Sequence, residues 1–347
     1  MKFETGNKES QKIPAPRQKS FSRIESTICA AAVAARIGVL MLISGAAAAP
    51  SDDAPPDWAF PIYQKEHETV PESQLISVPG SDRVLTFKQV NDPFGVRDWF
   101  PQDHPDMPAV VALGRAPKLA SCSYCHLPTG VGGPDNAAIA GLSAAYITQQ
   151  IEEFRTGRRQ CAVPPSVPCR SIMNRMAQAA SDSEGKEAAE YFSRLPYRSR
   201  ILVIEAAMVP KMTVQGFVFA RADGGEQEPI GERILEVPDS IAEFDSGDWR
   251  TPITAYVPPG SLARGKALVE GAARDATPCG SCHESRLQGN ELAPPLAGRS
   301  PTYIVRQLYD IQYGYRSGPA TALMQPVVAR LNAIDRVAIA AYIASLQ

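Results

Sequence analysis

Two short runs hold the residues best suited to chemistry. Cys122-Ser-Tyr-Cys125-His126 recurs as Cys279-Gly-Ser-Cys282-His283, 157 positions further on. Two thiols at this spacing followed by an imidazole form the attachment signature of c-type haem. The thiols add across the porphyrin vinyl groups and become thioethers. One helical turn sets both sulfurs on the porphyrin edge and swings the imidazole to its face as an iron ligand. The spacing therefore points to two covalently attached haem c groups. Cys122, Cys125, Cys279 and Cys282 would hold them, with His126 and His283 on the irons. Two other readings compete. A thioredoxin-like redox pair would stand once, beside a βαβ pattern that is missing here. A zinc site would pool the two pairs, yet each sits in its own repeat.

The surroundings of the motifs repeat as well. Gly114, Ala140-Gly141, Tyr146-Ile147, Gln150, Gly157 and Arg159 match Gly271, Ala297-Gly298, Tyr303-Ile304, Gln307, Gly314 and Arg316 at the same offset of 157. The offset then drops to 151, where Met173 matches Met324 and Tyr191 matches Tyr342. The first copy thus carries six extra residues, located at Cys161-Ala-Val-Pro-Pro-Ser-Val-Pro-Cys169. The register makes Met173 and Met324 the expected sixth ligands; Met176 faces Val327 in the other copy, which cannot ligate. Core filling is the ordinary role of a methionine. A thioether opposite imidazole raises the iron potential. With both positions filled, small ligands are kept off, which argues for electron transfer over oxygen or peroxide chemistry.

His67 and His104 lie outside the repeat matches, and solvated or structural roles are expected. The rival assignment makes His104 the distal ligand of the first haem. Cys161 and Cys169 are expected to form a disulfide in an oxidising compartment, stiffening the approach to Met173; a pair of thiols acting as a redox switch is the alternative. The Gly-x-Arg ends at Arg159 and Arg316 would either pair with haem propionates or serve as exposed cations at helix C-termini.

The elements that must position these residues are mainly helical. Segments 142–155 and 300–311 read as helices with Ser143 and Ser300 near their starts, and Asp182–Arg194 and Ala333–Leu346 have apolar residues at helical spacing. Strands are expected at Ile201–Ala206, Thr213–Ala220 and Arg233–Val237, with a turn at Asp223-Gly-Gly225. A weaker repeat precedes each motif: Ile76-Ser-Val78-Pro79 resembles Leu235-Glu-Val237-Pro238, and Asp98-Trp99 resembles Asp248-Trp249. Residues 50–75, rich in Pro and aromatics, are expected to wrap along a module surface.

The chain has 347 residues, seven Cys and four His, and a formal charge of −2, so it has no basic footprint for nucleic acid. Lys2 to Arg36 supply a basic region, Ile37 to Ile43 an apolar core, and Ala46 to Ala49 small residues, the pattern of a signal peptide cleaved near Ala48. The run is too short to span a bilayer. Cys29 would leave with it. Removal of seven basic and three acidic residues would bring the mature chain to about −6, suiting basic patches on partners rather than anionic lipid. The periplasm is the expected location, with no stable membrane insertion after cleavage.

These motifs, with Pro295-Leu-Ala-Gly298, Tyr303-Ile304, Gln307 and the final helix around Val337–Ile343, resemble the class I cytochrome c family, specifically tandem dihaem cytochromes of bacterial respiratory chains. The resemblance covers about 107–196 and 261–347. It implies a mainly α fold of two haem domains, 107–197 and 261–347, between which the residues 198–260 themselves read as a β-containing connecting segment. A signal peptide (1–48) and an irregular extension (49–106) precede them. Such proteins usually have short linkers, so both extra segments are departures. A proline that would offer a carbonyl to the ligand histidine is present as Pro294 or Pro295, but the first copy has Ala137 and Ala138 there, with Pro134 as a substitute; unequal haem potentials follow. The implied function is a non-enzymatic relay of single electrons between a donor and an acceptor: a dehydrogenase, a terminal oxidase or another cytochrome. Alternatives are a cytochrome subunit bound within a periplasmic dehydrogenase complex and a dihaem peroxidase.

Overall fold

The computed structural model describes residues 54–62, 70–163, 172–272 and 277–346. The expected signal peptide, Cys29, His67 and Cys169 lie outside the described residues, and with them the proposed Cys161–Cys169 bridge. Asp52–Gln347 forms one compact unit. In chain order it runs β1 (Leu75–Ile76), β2 (Leu85–Thr86), α1 (Phe87–Val90), α2 (Ala109–Ala112), α3 (Cys122–His126), α4 (Ala144–Arg155), α5 (Ile172–Ala179) and α6 (Asp182–Ser193). Then come β3 (Ile201–Glu205), β4 (Met208–Pro210), β5 (Met212–Gln215), β6 (Val218–Arg221), β7 (Gln227–Pro229), β8 (Leu235–Pro238), α7 (Ile241–Asp245) and β9 (Ile253–Val257). The chain closes with α8 (Ser261–Val269), α9 (Gly280–His283), α10 (Pro301–Gln312), α11 (Gln325–Val328) and α12 (Ala333–Ser345). No helix among the described residues is long and apolar enough to cross a membrane.

Local chemistry sets the helix starts. Ser143 and Ser300 each accept the backbone N–H three residues on, at 3.1 Å. Ser181 with Glu184 and Asn332 with Asp335 form capping boxes at α6 and α12. Each cap lies eight residues after its paired methionine, so the offset of 151 is a register of real elements. In the first module α4, α6 and α2 close on a core of Val110, Val111, Tyr146, Ile147, Ala189 and Phe192. In the second, α8, α10 and α12 close on Val269, Ile304, Val305, Ala340 and Ile343. The α8–α12 crossing is tight at Gly265, where a Cβ would stand 2.0 Å from the Ala338 carbonyl oxygen.

The connecting segment folds as a three-stranded sheet, ordered β3-β9-β8, with β3 parallel and β8 antiparallel to β9. Two short hairpin-like pairs, β4–β7 and β5–β6, stand beside it. Thr213–Ala220 is thus two strands rather than the single one expected: Gly216, at φ +58°, turns the chain between Gln215 and Val218. The N-terminal stretch does lie on a module. Trp58 packs on the second core, and the Ala59 carbonyl accepts from Arg306 on α10 at 2.8 Å.

Candidate functional site

Both ligand histidines are held alike. His126 Nδ1 lies 2.8 Å from the Ala137 carbonyl oxygen, and His283 Nδ1 lies 2.8 Å from that of Pro294. Each ring therefore donates from Nδ1, which leaves the Nε2 lone pair as the one to offer a metal. Ala137 and Pro294 are equivalent by repeat, so the backbone carbonyl matters and the proline ring does not. Pro134 does not substitute: its carbonyl accepts from Arg306 Nη2 at 2.7 Å. After each histidine the chain takes a positive φ, 66° at Leu127 and 67° at Glu284, a region non-glycine residues avoid. The same kink in both copies turns the chain away from the ring. Burial pushes both imidazoles below the ordinary histidine value, toward the neutral form that ligates iron.

The thiols are not those of a redox pair. Burial pushes Cys122 up to about 12, and Cys125 and Cys279 up to about 11, whereas a reactive dithiol needs a lowered value. Among the described residues no three His, Cys, Asp or Glu side chains converge as a metal site. Met173 is half-buried on α5, while Met176 packs on the first core. Met324 is half-buried where a 3-10 turn, Thr321–Leu323, runs into α11.

The repeated polar residues join the two modules. Arg159 donates to Gln150 Oε1 (2.7 Å) in its own module and to Tyr303 Oη (2.8 Å) and Gln307 Oε1 (2.9 Å) in the other. Arg316 mirrors it, donating to Gln307 Oε1 (3.1 Å), Tyr146 Oη (2.8 Å) and Gln150 Oε1 (2.9 Å). The backbones of Arg159 and Arg316 pair antiparallel across the junction. Both side chains are buried, so the exposed-cation reading is wrong: the glutamine and tyrosine acceptors pull the guanidinium groups inward. Two further residues of this junction carry no motif of their own. Glu153 and Asp310, equivalent by the offset of 157, are 1% and 2% exposed. The shared acid at matched positions was the available signal.

The extra segments cover the first motif. Trp99 and Trp249 pack with Val78, Val90 and Phe100 on Leu127, the residue after His126. Each indole N–H crosses to the other copy of the weaker repeat: Trp99 donates to the Ser246 carbonyl (2.8 Å) and Trp249 to Asp103 (3.0 Å). Arg97 lies over the Tyr124 ring and donates to its carbonyl at 2.7 Å. His104 belongs to this cover. Its ring is buried rather than solvated, with Nε2 3.2 Å from Asp98 and Nδ1 2.9 Å from the Pro105 carbonyl. Both nitrogens are taken, which opposes its assignment as a distal ligand. The loop after the first motif is also gripped from outside: Arg200, Arg299 and Arg306 donate to the carbonyls of Gly132, Ala138, Ala140 and Pro134. None of these arginines had a sequence signature, because a carbonyl target carries no side-chain identity.

Two buried donors fit a carboxylate-bearing macrocycle. Arg316 Nε at the junction and Arg97 Nε, on the guanidinium over Tyr124 beside Cys125, have no hydrogen-bond partner among the described residues. Together with paired thiols on one turn and an imidazole with Nε2 turned free, the residues suit haem and its propionates.

No protein-family model matches the chain. It is 36% identical over 239 residues to the cytochrome c4 of Pseudomonas aeruginosa, covering 68% of this chain and 88% of the relative. It is 26% identical over 232 residues to the thiosulfate dehydrogenase electron acceptor of Thiomonas intermedia, covering 66% of this chain and 80% of that one. Among solved structures, the as-isolated thiosulfate dehydrogenase of Marichromatium purpuratum is similar over 67% of this chain and 38% of its own, at 26% identity and a TM-score of 0.44.

Proposed function

The chain belongs to the dihaem class I cytochromes c, electron-transfer proteins with two covalently attached haem c groups, and from that premise we propose how its own residues do the work. Cys122 and Cys125 hold one haem, and Cys279 and Cys282 the other. His126 with Met173 and His283 with Met324 ligate the irons. Each haem supplies a one-electron couple. The protein's task is to fix the two couples relative to each other, tune them and limit access. The observation that carries this reading is the reciprocal junction of Arg159 and Arg316, which locks the two histidine-bearing modules into one unit without a mobile linker. The fixed ring orientation set by Ala137 and Pro294 keeps each imidazole in place through the redox cycle.

Access differs between the modules. Ser281, Cys282 and Glu284 are exposed, while Cys125 lies behind Arg97 and Tyr124. Electrons therefore enter and leave through the second module, exchanged with a redox protein of the periplasm; a dehydrogenase is the partner class favoured by the relatives' names. Covalent mass measurement on the exported protein tests the attachment: two haem increments are expected, falling to one in Cys279→Ala/Cys282→Ala. Met173→Ala and Met324→Ala should each remove about half of the ferric Met-to-iron charge-transfer band; an unchanged band in either refutes that ligand. Reduced wild-type protein should not bind carbon monoxide, whereas a peroxidase-type enzyme with an open iron would.

A further inference from the structure

The junction holds more than the arginines need. Asp310 sits on α10 at the seam, 2% exposed, accepting the Ala162 N–H at 3.0 Å from the loop after α4. Gln307 Nε2 approaches its other oxygen at 3.4 Å. Three guanidinium groups act on the carboxyl: Arg159 from the loop after α4, Arg316 from the loop after α10, and Arg306 from its own helix. Tyr303 lies among the same arginines. On the facing helix α4, the equivalent acid Glu153 meets Gln149 at 3.1 Å, and its Oε2 has no hydrogen-bond partner among the described residues. From α12, Arg336 turns instead to Gln312 and the Tyr309 ring.

The same arginines connect this carboxyl to the two histidines. Arg159 bears electrostatically on His126, and Arg316 on His283. A carboxyl buried at the junction of these arginines feels a change of charge in either module, and its burial leaves little water to screen it.

We propose that Asp310 takes up a proton when the haems are reduced and releases it on oxidation, so that the protein moves a proton with its electron. This rests on the electron-transfer reading above. The donor protein gives one electron to the couple, solvent gives one proton to the Asp310 carboxylate, and no covalent bond between heavy atoms forms or breaks. Reoxidation returns both. The loop bearing Ala162 offers a route to water, since Gln160 is exposed.

The working range follows from burial. Desolvation pushes Asp310 up to about 6, against the pull of the Ala162 N–H and of the three arginines. Loss of positive charge on reduction raises it further. Between the two values the reduced protein is protonated and the oxidised protein is not. The potential should therefore fall as pH rises through that window, and be flat below it.

The test is a spectroelectrochemical titration of the full dihaem protein from about pH 5 to 8. Wild type should show at least one potential that falls with pH, and Asp310→Asn should lose that slope. Redox-difference infrared spectra of wild type should show a carboxylic-acid carbonyl band on reduction. With isotopically labelled aspartate carboxyls, that band should shift. A slope retained in Asp310→Asn, or a band that does not shift with labelled aspartate, assigns the proton to a propionate or another group and overturns the inference. If Asp310→Asn does not fold, Asp310→Glu keeps the test decisive: the label-sensitive aspartate band should vanish, and its persistence overturns the inference. Absence of any haem redox transition would instead refute the underlying reading.

Discussion

After the ligand histidine the two modules part company. Leu127 follows His126 and is buried by Trp99, Phe100 and Trp249, which come from the extension and the connecting segment. Glu284 follows His283 with the same backbone kink, yet it is exposed, and its carboxylate accepts from Asn290 at 3.0 Å. Close by, Leu292 is 86% exposed. The extra segments therefore build a dry roof over one motif and leave the other open. The ferric iron carries one more positive charge than the ferrous, so an apolar roof disfavours the oxidised form. Arg97 beside Cys125 adds positive charge on the same side. The first haem should have the higher potential and the second the freer exchange with partners.

The largest blow to this contrast is Trp99→Ala. Trp99 is 1% exposed at the centre of the roof, so the loss should be about 3–5 kcal/mol in a denaturant melt. The higher potential should drop toward the lower one, which stays in place. Equal shifts of both would mean that the roof does not set the difference.

Gly265→Ala strikes the other module. A Cβ 2.0 Å from a backbone oxygen must prise α8 from α12, at a cost of about 3 kcal/mol, the upper end of overpacking. Haem spectra should show the loss at the second site first. A variant that unfolds in one step, both sites together, would indicate that the junction couples the modules more tightly than either core.

The junction itself is probed by Arg159→Met and Arg316→Met. Each leaves one buried tyrosine oxygen without its guanidinium donor, at about 1–3 kcal/mol. Because the remaining arginine still serves both Gln150 and Gln307, the double variant should lose more than the sum of the two. Strict additivity would contradict the reciprocal network.

The smallest effect is a pH dependence confined to the roof. Burial opposes charge on His104, but Asp98 and the Pro105 carbonyl outweigh it and hold the imidazole above its ordinary value. A raised folded value means the contribution is full below the unfolded histidine range and is lost as pH rises through the folded value. Stability of the first module should thus decline from about pH 6 upward, and His104→Gln should flatten that decline. An unchanged pH profile in the variant would remove His104 from the account.

Much of this was legible in the chain. The two Cys-x-x-Cys-His runs, the capped helices and the paired methionines stand out because identity, spacing and register agree. The weak Asp-Trp repeat marked two segments that meet, since each indole bonds to a residue beside the other. What stayed hidden was direction. A shared offset says that Arg159 and Arg316 are equivalent, but not that each reaches the other's tyrosine. The β3–β9 pairing joins residues about fifty apart in parallel, with no local turn to announce it. His104 read as a bystander because its partner, Asp98, belongs to a fold that only the buried tryptophans define.

The central claim is that two equivalent haem sites are made unequal by the segments folded around the first. A redox titration of the intact exported protein tests it most directly. The account predicts two one-electron steps at separate potentials, the upper one moved by Trp99→Ala. A single shared potential, or an upper step that Trp99→Ala leaves in place, would contradict it.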